Sequence, residues 1–112
     1  MTFDPPLTFE RIDDKPNETS TFRLLGPLTV RNIFEFQTAL RAEPLPRLTV
    51  VDLAQVPFMD SAGIGVIING YVHCRKAGVE LAVEGVNYRV MELFKLTHVD
   101  KLIPIRSAVE GA

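Results

Sequence analysis

The chain has 112 residues, 46% hydrophobic and 23% charged, with a net charge of -2; that is enough for one compact domain with a core of its own and too little for two. Its lysines and arginines are scattered, which excludes the basic stripe that direct nucleic-acid binding needs. A single cysteine, Cys74, excludes an intrachain disulfide framework and a cysteine-based zinc site, and it fits a reducing compartment.

The opening MTFDPPLTFE shows no basic and apolar leader, and the stretch GIGVIING is far shorter than the roughly 20 apolar residues that cross a bilayer. A cytoplasmic protein without membrane insertion is expected. Leu7 to Ile12 and Ser20 to Leu25 are β-rich runs joined by DDKPNE, whose turn formers predict a hairpin. Gly26 and Pro27 end the second run. From Val30 to Arg41 the apolar residues Val30, Ile33, Phe34 and Leu40 recur at helical spacing, and Pro44 and Pro46 close the segment. Leu48 to Leu53 is nearly continuous apolar sequence, as a central strand covered on both faces would be.

The longest helix is expected over Ser61 to Lys76, with Ile64, Ile67, Ile68 and Tyr71 on one face and Gly78 placed to stop it. Val79 to Glu84 alternates as a strand. Asn87 can cap a helix with Val90, Leu93 and Phe94 inward, and KLIPI supplies a last strand that Pro104 pushes to the sheet edge. Ser107 to Glu110 reads as the capping box of a further helix. The order is ββαβαβαβ, and crossover helices require parallel pairing. The expected fold is α/β, with a four- to five-stranded mixed sheet flanked by helices in a single domain over 1–112, its core about 7–106.

Within this frame FMDSAGIG, residues 58–65, sets a hydroxyl beside a carboxylate where a strand passes into a helix. A nucleophile elbow would need glycine two places before Ser61, where Met59 stands. A base is also required: His73 lies 12 residues along the same helix, about 18 Å away at ~1.5 Å per residue and out of reach, and His98, which distance does not exclude, sits in a polar loop where a histidine is usually solvated. Gly63 and Gly65 give two of the three glycines of a dinucleotide fingerprint, with Ile68 in the third place and Glu84 as a distant candidate for a ribose. Ser61 is also placed to cap the helix, with Asp60 adding favourable charge at its positive end. Capping leaves two early glycines unexplained, since each costs up to about 1 kcal/mol in a helix. A flat, accessible helix start on which a partner docks would account for them.

Met59-Asp60-Ser61 with Gly63 and Gly65, the apolar helix behind them and the glycine-bounded strand after it resemble the STAS domain, most closely the bacterial anti-sigma factor antagonists. The resemblance runs from RLLGPLT near Arg23 through Ile105. It implies a non-enzymatic binding module in which Ser61 is phosphorylated by its partner, an anti-sigma factor serine kinase with a histidine-kinase-like ATPase fold. The unphosphorylated form sequesters that kinase and frees a sigma factor, and a serine phosphatase resets the cycle. Partner contacts are implied at Thr29, Met59, Asp60, Ser61, Ala62, Gly63, Ile64 and Gly65. The chain departs from the pattern at Ala62, where a second hydroxyl is common, at Thr29, where an aspartate is common, and at His98, in place of a turn glycine. A second STAS class, the accessory subunit of a transporter such as a lipid-transport ATPase, needs the docking surface without the phosphorylation. Cys74 is read as packing, Asp13 and Asp14 as a turn, and Asp52 with Asp60 as too few ligands for a hard cation. No cofactor and no metal is expected.

Overall fold

A computed structural model describes residues 6–106. The hairpin forms, but Asp13 and Asp14, expected in the turn, are the last two residues of its first strand, paired with Ser20 and Thr19; the turn itself is Lys15 to Glu18. β1 (Thr8–Asp14) and β2 (Thr19–Leu25) pair antiparallel from Thr8 opposite Leu25 to Asp14 opposite Thr19. β3 (Leu48–Gln55) and β4 (Glu80–Glu84) then add in parallel, and β5 (Ile105–Arg106) closes the edge of a five-stranded mixed sheet in the order β1-β2-β3-β4-β5. The apolar run of β3 is central for the reason its composition gave: Val50 and Val51, which face opposite sides of the sheet, are both buried.

Each parallel neighbour lies one step further across the sheet in the same direction. Right-handed crossovers of that kind collect their helices on one face. The core forms there, from alternate strand residues such as Phe22, Leu24, Val51, Leu53, Leu81 and Val83 and from the helices α1 (Phe34–Leu40), α2 (Ser61–Lys76) and α3 (Tyr88–Leu96). Phe9, Phe22 and Phe36 pack as a ring triad with centroids 5.6–6.1 Å apart, tying the hairpin to α1. Such aromatic pairs contribute about 1 kcal/mol each beyond their burial.

Two segments depart from the periodicity. The helix expected from Val30 begins at Phe34, because Thr29 to Asn32 form a turn closed by the Asn32 N–H on the Thr29 carbonyl at 2.8 Å. The Val30 N–H is drawn away to a carboxylate from another part of the chain. KLIPI is a strand only at its end. Lys101 and Leu102 belong to a short helix, α4 (Val99–Leu102), and β5 keeps two residues. His98, in left-handed conformation at φ +64°, turns the chain from α3 into α4, the conformation a turn glycine would take. Ser107 to Glu110 lies outside the described residues.

Candidate functional site

α2 starts where the chain leaves β3, and the residue that caps it is Asp60, not Ser61 as the sequence suggested. Asp60 is extended at φ -110° and ψ -171°, and its Oδ1 accepts the Gly63 N–H at 3.0 Å. Its Oδ2 accepts the Val30 N–H at 3.1 Å. The carboxylate therefore clamps the helix start to the segment after β2, and Ser61 is left as the first helical residue with its side chain exposed. Both residues are good cap formers. The contact to Val30, thirty positions away in sequence, decides between them.

Around this clamp the backbones of residues 28 and 58–60 run side by side. The Leu28 N–H bonds the Phe58 carbonyl at 3.2 Å, the Asp60 N–H bonds the Leu28 carbonyl at 3.3 Å, and Leu28 and Met59 form an isolated parallel bridge. Gly63 is packed against this bridge. A Cβ there would drive into the carbonyl oxygen of Leu28, so the glycine exists for close backbone approach and not as an accessible docking spot. Gly65 differs: a Cβ there would meet nothing within 4 Å, and no contact inside the protein accounts for its cost to the helix.

The expected contact residues thus separate. Leu28's neighbours Met59 and Ile64 belong to the core, Gly63 is buried, and Thr29 is 8% exposed. Ser61 is exposed, and Asp60, Ala62 and Gly65 are partly covered around it. The sequence reading missed what surrounds them. Val30 is 67% exposed, and Phe58 borders a groove of about 280 Å³ that it shares with Arg89, Leu93 and Leu96 of α3. That α3 is held beside the site by Asn87, read from sequence only as its cap. The Asn87 Oδ1 does accept the Val90 N–H at 2.8 Å, and its Nδ2 also donates to the Val56 carbonyl at 2.8 Å.

Other candidates fall elsewhere. His73 lies near the far end of α2, its Nε2 3.4 Å from the Glu43 carboxylate. Cys74 is fully buried, and burial pushes its thiol pKa up, as a packed and unreactive cysteine requires. Glu84 is paired with Arg106 at 3.7 Å. Among the described residues no three His, Cys, Asp or Glu side chains converge as a metal site would need, and no helix is long and apolar enough to cross a membrane.

Comparison with known proteins places this geometry. A family model of the STAS domain matches residues 11–112. The anti-sigma-B factor antagonist of Listeria monocytogenes serovar 1/2a is 36% identical over 61 residues, 54% of this chain and 53% of that protein. The match thus spans about half the length of that relative. Among solved structures, an anti-sigma factor antagonist from Mycobacterium paratuberculosis superposes with a TM-score of 0.77 at 21% identity, covering 88% of this chain and 84% of that one. The anti-sigma factor antagonist SpoIIAA in its unphosphorylated form superposes with a TM-score of 0.72 at 14% identity, covering 91% and 90%. At these identities the superpositions speak for the fold, and they agree with the family match over nearly the whole chain: this chain belongs to the STAS domain family.

Proposed function

We propose that the chain is an anti-sigma factor antagonist whose binding to an anti-sigma serine kinase is switched by phosphorylation of Ser61. One observation carries the reading. Asp60 caps the helix with one carboxylate oxygen and ties Val30 with the other, so the exposed Ser61 hydroxyl is not needed to hold the helix start and is open to a kinase. The names of the curated relatives, antagonists of anti-sigma factors, support the same role.

In this reading the chain is a substrate and a binding module, not a catalyst. The kinase transfers the γ-phosphoryl group of ATP to Ser61 Oγ, the serine proton leaves, and ADP is released. Unphosphorylated, the chain offers Ser61, Ala62 and Gly65 as a low surface flanked by Val30 and Phe58, and it sequesters the kinase, which releases a sigma factor. After transfer, a group of about -1.5 to -2 charge stands beside Asp60. Closing an interface over it would strip its water and crowd two like charges, at a cost of several kcal/mol. The fold survives, because an anion at a helix N-terminus is locally favoured. A serine phosphatase hydrolyses the ester and restores the binding form.

The reading is tested with the wild-type chain, Ser61→Ala and Ser61→Asp as baits in the source cell, the captured proteins being identified by mass spectrometry. Capture of a histidine-kinase-like ATPase by wild type and Ser61→Ala but not by Ser61→Asp supports it. Equal capture of a transporter ATPase by all three would replace it with the accessory-subunit role.

A further inference from the structure

We propose that Thr29 is the intramolecular receptor for the phosphate on Ser61, donating its hydroxyl hydrogen to a phosphoryl oxygen. The proposal rests on the reading of Ser61 as a phosphorylation site and concerns what holds the phosphate once it has arrived.

The first observation is an orphan. Thr29 is 8% exposed, and its Oγ1 is buried with no hydrogen-bond partner among the described residues. A buried hydroxyl without a partner costs free energy, and native proteins rarely keep one. Its place follows from the bridge beside it. Leu28 and Met59, paired across that bridge, both turn into the core. The Leu28 carbonyl accepts the Asp60 N–H, and the N–H of Val30 goes to the Asp60 carboxylate, which also holds Gly63. Thr29, between Leu28 and Val30, is thereby held against Asp60, and its orphan hydroxyl lies at the cap of α2 beside the residue that precedes Ser61.

The second observation concerns the donors of the helix itself. Gly63 gives its N–H to the Asp60 carboxylate and Ile64 gives its own to the Asp60 carbonyl. The N–H groups of Ser61 and Ala62 have no acceptor among the described residues. The first turn of a helix 16 residues long thus retains two donors beside the hydroxyl that receives the phosphate, where the helix dipole also favours an anion. The Asp60 charge opposes the phosphate, but two backbone donors already offset it.

A phosphoserine offers three strong acceptor oxygens. Ser61 N–H, Ala62 N–H and Thr29 O–H match them in number, and the hydroxyl that is unpartnered in the resting protein gains its partner in the modified one. Phosphorylation then removes a penalty built into the binding form.

The test uses the full chain with phosphoserine placed at position 61 by genetic encoding, so that no kinase is needed. Wild type, Thr29→Val and Thr29→Ser are compared by ³¹P NMR titration of the phosphate and by melting temperature, each with and without the phosphate. Without phosphate, Thr29→Val is expected to melt at or above the wild-type temperature, since an orphan hydroxyl is replaced by an isosteric methyl. With phosphate it should melt about 3 °C or more below wild type, and its phosphate should bind the second proton about threefold or more tightly; Thr29→Ser should restore both. A phosphate that titrates identically in wild type and Thr29→Val overturns the proposal, as does a Thr29→Val change that lowers both forms equally. Should Thr29→Val not fold, Thr29→Ala takes its place in the same comparison. Failure of the switch reading would show separately, as a kinase that leaves Ser61 unmodified, and would not alter these titrations.

Discussion

Two places in this molecule set a serine against an aspartate, and they use the pair in opposite ways. At the hairpin, buried Ser20 donates its hydroxyl to Asp13 at 2.6 Å and receives Arg11 at 3.2 Å; its oxygen is wholly committed to holding β1 against β2. At the start of α2, Asp60 gives both carboxylate oxygens to backbone N–H groups and Ser61 stands outside the arrangement. One serine is structural because a carboxylate accepts from it. The other is free because its carboxylate is occupied. The residue pair alone therefore does not tell a structural hydroxyl from a free one; what tells them apart is where the neighbouring carboxylate spends its lone pairs.

The largest effect expected from breaking this arrangement is at Gly63. Gly63→Leu pushes a side chain into the Leu28 carbonyl and should cost about 3 kcal/mol or prevent folding, measured by urea denaturation. A stable Gly63→Leu would return this glycine to the docking surface. Asp60→Ala should cost about 2 kcal/mol, since it removes a helix cap and the tie to Val30 together, whereas Ser61→Ala should stay within about 0.5 kcal/mol of wild type. Equal losses for the two would show that Ser61 shares the capping. At the hairpin the order reverses: Ser20→Ala should cost about 1 kcal/mol by leaving its partners short of a hydrogen bond, more than Ser61→Ala.

A smaller effect of opposite sign is expected at Gly65. Gly65→Ala should raise stability by up to about 1 kcal/mol, with weaker partner binding; unchanged binding would detach this glycine from the interface. The smallest effect is in pH. The Ser20 hydroxyl, and after it Arg11, hold the Asp13 carboxyl below its ordinary range. A depressed folded pKa gives stability that is present above the unfolded value of about 3.9 and is lost as pH falls through the folded one. The margin of wild type over Asp13→Asn should therefore be constant near neutrality and shrink only below about pH 4. A margin that changes between pH 6 and 8 would point to a different group.

Much of the fold was legible because local pattern and tertiary need agreed. The apolar run of β3, the helical spacing of α2 with Gly78 at φ +78° just past its end, and the turn formers of the hairpin each specify an element without help from afar. The misreadings nearly all trace to one contact that no local pattern contains, the approach of residues 28–30 to residues 58–63. It takes the Val30 N–H and so delays α1 to Phe34. It selects Asp60 over Ser61 as cap, and it demands the missing side chain at Gly63. The sequence neighbours of Ser61 single it out, but its freedom from the cap was not legible in them, since that depends on a backbone donor thirty residues away. The short α4 is a separate case: Pro104 was a sound sign of a sheet edge, and the turn at His98 left room for one more helical turn before it.

The proposal that a free hydroxyl at Ser61 controls partner binding is tested most directly by titrating the ATPase that the wild-type bait captures with the chain before and after one phosphate is placed on Ser61. The predicted result is a dissociation constant raised about tenfold or more, equivalent to at least ~1.4 kcal/mol, with the circular-dichroism spectrum of the chain unchanged. An unchanged dissociation constant would contradict the account.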